Sequence, residues 1–181
     1  MAEKLVILSD MWGSKKGLWI TSYLGYLQQY FDIQFHDTQQ LSDVELVVYT
    51  SENLYEAFRE GGRDYAVAQL LKKETQPAHY LTFCAGGTVA WLAAQKGLPI
   101  KSLYAVSPID LPMEEPKPDC PVRLLFGGND KDIPGPDWAE KKSVSLEVMP
   151  QYGHELYSDE MIIKKVCLSL LEAAIHKKFQ L

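Results

Sequence analysis

The chain contains few cysteines: Cys84, Cys120 and Cys167 are the only three among 181 residues. Three widely spaced cysteines without a Cys-x-x-Cys pair give little support to a disulfide framework or a structural zinc site. We therefore expect neither a metal nor a cofactor. Free thiols persist in reducing compartments, and the first residues do not resemble a secretion signal, so the sequence predicts a cytoplasmic protein.

Long apolar runs and clusters of positive charge are also missing. No stretch approaches the roughly 20 apolar residues that cross a bilayer, so we expect no membrane partner. The formal net charge is −6, and no basic stripe stands out, which argues against nucleic acid as a partner. The oligomeric state cannot be read from the sequence.

The residues that are present suit a single globular domain over residues 1–181, because 46% of them are hydrophobic. There is no internal repeat and no linker. Short apolar runs alternate with amphipathic stretches, a pattern typical of parallel strands joined by crossover helices. The sequence thus predicts a three-layer α/β fold with about six or seven mostly parallel strands.

The predicted elements can be placed along the chain from their periodicity and their breakers. The predicted strands are Lys4–Ser9, Phe31–Thr38, Glu45–Thr50, His79–Cys84, Lys101–Val106, Val122–Phe126 and Val144–Met149. The predicted helices are Leu18–Tyr30, Asn53–Lys73 with a break at Gly61-Gly62, Ala85–Gln95, Trp138–Lys142 and Glu160–Lys178. Ligands of such sheets bind beyond the carboxyl ends of the strands, so the residues there are the functional candidates.

The segment Thr82-Phe83-Cys84-Ala85-Gly86-Gly87 joins a predicted strand to a predicted helix without spare residues. The turn must be sharp, and Gly86 and Gly87 allow strand and helix to approach closely. An isolated cysteine is most often a buried packing residue. The glycines beside Cys84 favour a different interpretation, in which its side chain is presented at the top of the sheet.

This segment resembles the nucleophile elbow of α/β-hydrolases, G-x-S-x-G, with Cys84 in place of the serine and Thr82 in place of the first glycine. A cysteine at this position is similar to dienelactone hydrolase and its relatives. The resemblance implies an α/β-hydrolase-like fold and covalent catalysis by Cys84. A helix N-terminus beside the sulfur favours its thiolate form.

The resemblance also implies an acid, which follows the nucleophile along the chain. Residues 127–134, Gly-Gly-Asn-Asp-Lys-Asp-Ile-Pro, resemble the family segment G-x-x-D-x-x-V-P. That match assigns the role to Asp130. Asp132 in the same loop and Asp110 after the preceding strand are alternatives, and a solvated turn carboxylate is the ordinary reading of each.

The base of the predicted triad is a histidine that follows the acid. His36 lies inside a predicted strand, His79 begins one, and His176 lies among lysines on the last helix. His154 alone follows the last predicted strand on its carboxyl side, in Gln151-Tyr152-Gly153-His154-Glu155. The Gly-His pair is similar to the histidine loop of the family.

The expected oxyanion hole uses backbone N–H groups. Ala85 follows the nucleophile and should supply one; the loop after the first strand should supply the other from Met11 or Trp12. The His-Gly pair common there in the family is missing. We expect Trp12, Tyr152 and Tyr157, with Trp138 as a further candidate, to shape the substrate pocket. Residues 109–119 are too few, and too rich in proline, for a lid domain.

These residues together predict a hydrolase of a small-molecule acyl substrate, an ester, thioester or lactone, through an acyl-cysteine intermediate. Two alternatives stay open. The fold could serve a binding or regulatory protein with little catalysis, since fold alone does not determine function. The same acyl-enzyme could instead pass its acyl group to another acceptor, as in an acyltransferase.

Overall fold

A computed structural model describes residues 2–179 of the chain, with side chains up to residue 176. Six parallel strands form one sheet in the order β2-β1-β3-β4-β5-β6. The strands are β1 (Glu3–Leu8), β2 (Phe31–His36), β3 (Ala78–Phe83), β4 (Ile100–Val106), β5 (Val122–Gly127) and β6 (Ser145–Met149). The predicted α/β class and the predicted number of strands are confirmed.

Seven α-helices are described between and after the strands. They are α1 (Ile20–Leu27), α2 (Thr38–Leu41), α3 (Ser51–Ala57), α4 (Arg63–Lys73), α5 (Ala85–Gln95), α6 (Pro136–Lys141) and α7 (Glu160–Phe179). Short 3₁₀ turns form at Gly13–Lys16 and Leu156–Ser158, and a π-turn at Phe58–Gly62 joins α3 to α4. Gly61 in that turn has a φ of 140°, which interrupts the helical backbone between α3 and α4. The Gly-Gly pair predicted a break at this place.

The helices cover both faces of the sheet. Consecutive strand residues point to opposite faces, so Thr82 and Phe83 mark the two sides of β3. The Thr82 hydroxyl lies next to Gly87 of α5. The ring of Phe83 instead contacts Tyr23 of α1, with 4.8 Å between ring centroids. Helix α7 packs beside α1, and α4 packs beside α5, which completes three layers.

The strand predicted at Glu45–Thr50 is wrong. This segment is an irregular loop between α2 and α3, with Val47 and Val48 exposed. Its β-branched residues favour a strand, but nearby side chains form hydrogen bonds with its backbone: Asn53 Nδ2 donates to the Val48 carbonyl at 3.0 Å. The Leu46 N–H donates to the Tyr49 hydroxyl in the same way. A strand needs a neighbour for its ladder, and residues 45–50 pair with no strand among residues 2–179.

The bounds of several other elements differ from prediction. Strand β2 stops at His36 because Asp37 caps a short helix, accepting a hydrogen bond from the Gln40 N–H. Helix α1 is shorter than the predicted Leu18–Tyr30 at both ends. Neither difference moves a predicted site residue.

No lid covers the carboxyl edge of the sheet in the part of the chain that the structure describes. Residues 107–121, between β4 and β5, contain neither helix nor strand. Among residues 2–179 there is also no helix that combines the length and apolar character needed to cross a membrane.

Candidate active site

Three predicted site residues meet at the carboxyl edge of the sheet. Cys84 follows β3 directly, Asp130 lies three residues after β5, and His154 lies in the loop after β6. Parallel strands end at the same edge, so residues far apart in sequence come together there. Cys84 and His154 are 70 positions apart in the sequence, and this topology brings them to the same edge.

Cys84 occupies a strained turn. Its backbone has φ 51° and ψ −124°, outside the conformations that L-residues ordinarily adopt, and such strain is common at active sites. The Cys84 N–H donates to the Val106 carbonyl at 2.9 Å, which anchors the turn to β4. A Cβ on Gly86 would lie 2.6 Å from the Ser9 carbonyl oxygen. The glycine is therefore needed for helix α5 to start against β1.

Asp130 and His154 form a close pair. The Nδ1 of His154 lies 2.8 Å from Oδ2 of Asp130, where its N–H donates to the carboxylate. The Asp130 side chain is 1% exposed and that of His154 is 26% exposed. The other Asp130 oxygen accepts the Asp132 N–H at 2.9 Å. Both oxygens of the acid are thus engaged, and the imidazole is held in one orientation.

The histidine loop is held against β5 and β4. A Cβ on Gly127 would lie 2.4 Å from the carbonyl oxygens of Tyr152 and Gly153, so only glycine lets the loop approach. The Asn129 N–H donates to the Tyr152 carbonyl at 3.0 Å. The Ser107 hydroxyl donates to the His154 carbonyl at 2.7 Å. These contacts fix the position of the histidine relative to Asp130.

The free nitrogen of His154 faces Cys84. Its Nε2 is buried and has no hydrogen-bond partner among the described residues. Burial alone would lower the pKa of His154, but the Asp130 hydrogen bond and the neighbouring Cys84 outweigh it and raise the pKa to about 10. Burial would likewise raise the pKa of Asp130, but hydrogen bonds from His154 and Asp132 hold it below its usual value. The Asp130 carboxylate therefore favours the imidazolium form of His154.

The two alternative acids have other partners. Asp110 accepts a two-pronged ion pair from Arg59, at 2.7 Å and 3.3 Å. Asp132 lies beside Asp130, and burial together with the charges of Asp130 and Asp110 raises its pKa. Of the three carboxylates, Asp130 is the one hydrogen-bonded to His154.

The loop after β1 is organised by Asp10. One oxygen of its buried carboxylate accepts the N–H groups of Trp12 at 3.1 Å and Gly13 at 3.2 Å. The other accepts the Tyr157 hydroxyl at 2.9 Å. The Trp12 N–H is therefore engaged and not available as the predicted oxyanion donor. The N–H groups of Met11 and Ala85 have no acceptor within residues 2–179.

A small cavity of about 30 Å³ lies over the sulfur of Cys84. It is lined by Asp10, Met11, Trp12, Ser51, Leu54, Tyr55, Cys84, His154, Glu155 and Tyr157. Trp12 and Tyr157 thus border the cavity as predicted, but Tyr152 does not, because its hydroxyl turns away to Asp159 at 3.4 Å. Trp138 is also distant: it stacks on Trp91, and its N–H donates to the Met113 carbonyl.

Solved structures similar to this one share its layout. A protein of Xanthomonas campestris described as a hydrolase of the alpha/beta superfamily superposes with a TM-score of 0.68 at 17% identity, covering 94% of this chain and 99% of that chain. A Klebsiella pneumoniae protein described as a dienelactone hydrolase gives 0.60 at 15% identity, covering 95% and 85%. Naproxen esterase from Bacillus subtilis gives 0.59 at 13% identity, covering 93% and 84%. The chain has the α/β-hydrolase fold.

Likeness in sequence is much weaker than likeness in fold. No family model matches the sequence, and no curated protein matches it. Within the α/β-hydrolase fold, β3 and α5 form the strand–elbow–helix unit that carries Cys84.

Two other features of this α/β-hydrolase fold lie near or opposite the site. Asp130, Asp132 and His154 each place one metal-ligating atom within 4.8 Å of the others. The hydrogen bonds that Asp130 accepts from His154 and Asp132 account for that closeness. A larger, mainly apolar cavity of about 600 Å³ lies at the amino ends of the strands, against α7. It does not reach Cys84.

Three residues near the site were not singled out from the sequence. Asp10 lies two residues after β1 and Ser107 directly follows β4, so their positions at strand ends mark them as candidates. Tyr55 lies on α3, and its hydroxyl is 3.6 Å from the Cys84 sulfur. No local pattern marks that tyrosine, because its place depends on how α3 packs over the elbow.

Proposed function

We propose that the protein is a hydrolase that cleaves a small ester, thioester or lactone through an acyl intermediate on Cys84. The observation that carries the proposal is one continuous arrangement: a strained Cys84, the unpartnered Nε2 of His154, and the Asp130 carboxylate behind it, around one cavity. The α/β-hydrolase fold is compatible with this chemistry and does not by itself establish it.

In the first half of the proposed reaction, the Cys84 sulfur attacks the acyl carbonyl carbon. A sulfur–carbon bond forms, and the carbonyl electron pair moves onto oxygen. His154 holds the proton that came from the thiol and gives it to the leaving alcohol or thiol as the old bond breaks. Asp130 keeps the imidazole oriented and stabilises its cation.

In the second half, water replaces the acyl group on sulfur. His154 takes a proton from the water, the oxygen attacks the acyl carbon, and the sulfur–carbon bond breaks. A carboxylic acid leaves, and the thiol is restored. We propose that the N–H groups of Ala85 and Met11 stabilise the oxyanion in both halves, since neither has an acceptor within the described chain.

The site also limits the substrate. The cavity of about 30 Å³ accommodates little more than the reacting group, so we propose a small acyl portion with the rest of the substrate outside. All three cysteines are unpaired and buried, which fits the proposed cytoplasmic location.

The test is a panel of acetyl and butyryl esters, matching thioesters and small lactones, measured with wild-type protein and Cys84→Ala. We expect turnover that Cys84→Ala abolishes, and a mass increase equal to one acyl group on Cys84 during a rapid burst. A protein with no turnover and no acyl adduct would instead be a binding or regulatory protein. An acyl adduct that is released only to an added alcohol or amine would indicate an acyltransferase.

A further inference from the structure

Tyr55 on α3 reaches into the cavity beside the nucleophile. Its hydroxyl oxygen lies 3.6 Å from the Cys84 sulfur and within hydrogen-bonding distance of it. Burial and the neighbouring Cys84 charge raise the pKa of Tyr55 above its ordinary value, so the phenol stays protonated. A hydroxyl that is always protonated can act as a donor throughout a reaction at neutral pH.

The position of Tyr55 is fixed from two directions. The Thr50 hydroxyl caps the start of α3 by accepting the Asn53 N–H at 3.1 Å. The guanidinium of Arg59 lies 5.8 Å from the centre of the Tyr55 ring and is itself held by Asp110. A donor placed this firmly loses little entropy when charge develops in front of it.

Of the two backbone donors predicted for the loop after β1, only the Met11 N–H is left for the oxyanion hole. The Trp12 N–H is bound by Asp10, and the loop has no His-Gly pair. In a tetrahedral adduct on Cys84, the sulfur and the oxyanion are bonded to the same carbon atom. A hydroxyl 3.6 Å from the sulfur can therefore approach the oxyanion to the distance of about 2.7–3.1 Å that stabilisation needs.

We propose that Tyr55 is a further catalytic residue, whose hydroxyl donates to the oxyanion that forms when Cys84 attacks an acyl carbonyl. Before substrate binds, the same hydroxyl lies within hydrogen-bonding distance of the sulfur. The proposal rests on the function proposed above for Cys84, and adds a side-chain donor to the backbone N–H groups of Ala85 and Met11.

The first test is Tyr55→Phe, which removes the hydroxyl and keeps the ring. We expect kcat to fall by about 10²–10³-fold with KM nearly unchanged, the loss seen when one oxyanion donor is removed. Tyr65→Phe, on the exposed surface of α4, is the matched control and should behave as wild type. Rates are normalised to the fraction of folded protein, measured by circular dichroism, so that misfolded protein is not counted.

A thionoester separates a donor to the oxyanion from a structural role. Sulfur in place of the carbonyl oxygen accepts hydrogen bonds poorly, so Tyr55→Phe should slow thionoester cleavage much less than ester cleavage. An equal loss on both substrates would overturn the proposal, as would a loss that grows with the pKa of the leaving group.

An aldehyde probe tests Tyr55 without any turnover. Butanal adds reversibly to a thiol: a sulfur–carbon bond forms, the carbonyl electron pair moves onto oxygen, and the thiol proton passes to His154. We expect butanal to protect Cys84 from iodoacetamide at least tenfold less well in Tyr55→Phe. Equal protection in both proteins would refute the role of Tyr55. Absence of turnover in wild type and Cys84→Ala alike would instead refute the proposed function.

Discussion

The protein contains two histidine–carboxylate pairs of nearly equal geometry. His154 lies 2.8 Å from Asp130, and His36 lies 2.7 Å from Glu74. Both carboxylates are almost completely buried. The two pairs differ in their other contacts. Glu74 also binds Lys4 at 2.5 Å, whereas the second ring nitrogen of His154 faces Cys84 and a cavity.

The same histidine–carboxylate geometry thus occurs in two different surroundings. Around Glu74, Lys4 and His36 both contact a buried carboxylate, an arrangement that suits a structural role. Around His154, the second ring nitrogen lacks a partner among the described residues, and a strained cysteine faces it. We therefore expect substitutions in the two pairs to separate activity from stability.

The largest contrast should come from His154→Ala and His36→Ala. His154→Ala should reduce ester turnover by about 10⁵-fold, because both the thiol and the leaving group lose their proton carrier. His36→Ala should leave the turnover per folded molecule within a few fold of the wild-type value. Steady-state kinetics of both variants on the same ester measure this, and equal losses would mean that His154 has no special role.

The next largest effect should separate the three candidate acids. Asp130→Asn should lower kcat by about 10³–10⁴-fold, because an amide cannot hold the imidazole in the required tautomer or stabilise its cation. Asp132→Asn and Asp110→Asn should each cost less than about tenfold, since neither accepts a hydrogen bond from His154. If Asp132→Asn gave the large loss instead, the acid would have to be reassigned.

The other pair should respond in stability. Glu74→Gln should lower the free energy of unfolding by about 2 kcal/mol, because Lys4 and His36 lose the charge that they share. Urea denaturation followed by circular dichroism measures this change, and ester turnover should be unaffected. A loss of turnover without a loss of stability would show that the His36 pair also serves the reaction.

The residues of the elbow could be predicted from the sequence more completely than the residues around it. Cys84 and its glycines lie within six residues, so their turn is encoded locally. Asp130 and His154 could be placed because both follow strands that end at one edge. Tyr55 could not, since its contact with Cys84 depends on how α3 packs against the sheet.

The incorrect predictions have similar physical causes. The segment 45–50 has strand-forming residues, but a strand also depends on a neighbour, which periodicity does not reveal. Tyr152 lies close to His154 in sequence, yet its hydroxyl points to Asp159. The Trp12 N–H has the expected place in the loop, but the Asp10 carboxylate engages it.

The smallest predicted effect concerns pH. The pKa of His154 is raised to about 10 from an ordinary value of 6.5. The imidazolium therefore contributes stability that is fully present below about pH 6.5 and is lost as the pH rises through 10. Because the side chain is partly exposed, we expect a loss on the order of 1 kcal/mol between pH 7 and 10.5. Urea denaturation of wild-type protein and of His154→Gln at both pH values isolates this contribution. An equal change in the free energy of unfolding between the two pH values in both proteins would contradict the raised pKa.

The most direct test of the central claim, that Cys84 and His154 act together, is the rate of alkylation at each cysteine. Burial raises the pKa of Cys120, and burial with the Glu160 charge raises that of Cys167 to about 12. Iodoacetamide at pH 7, followed by peptide mass spectrometry, should therefore modify Cys84 at least tenfold faster than the other two, and His154→Ala should remove that advantage. Equal rates at the three cysteines in wild-type protein, or a Cys84 rate unchanged in His154→Ala, would contradict the account.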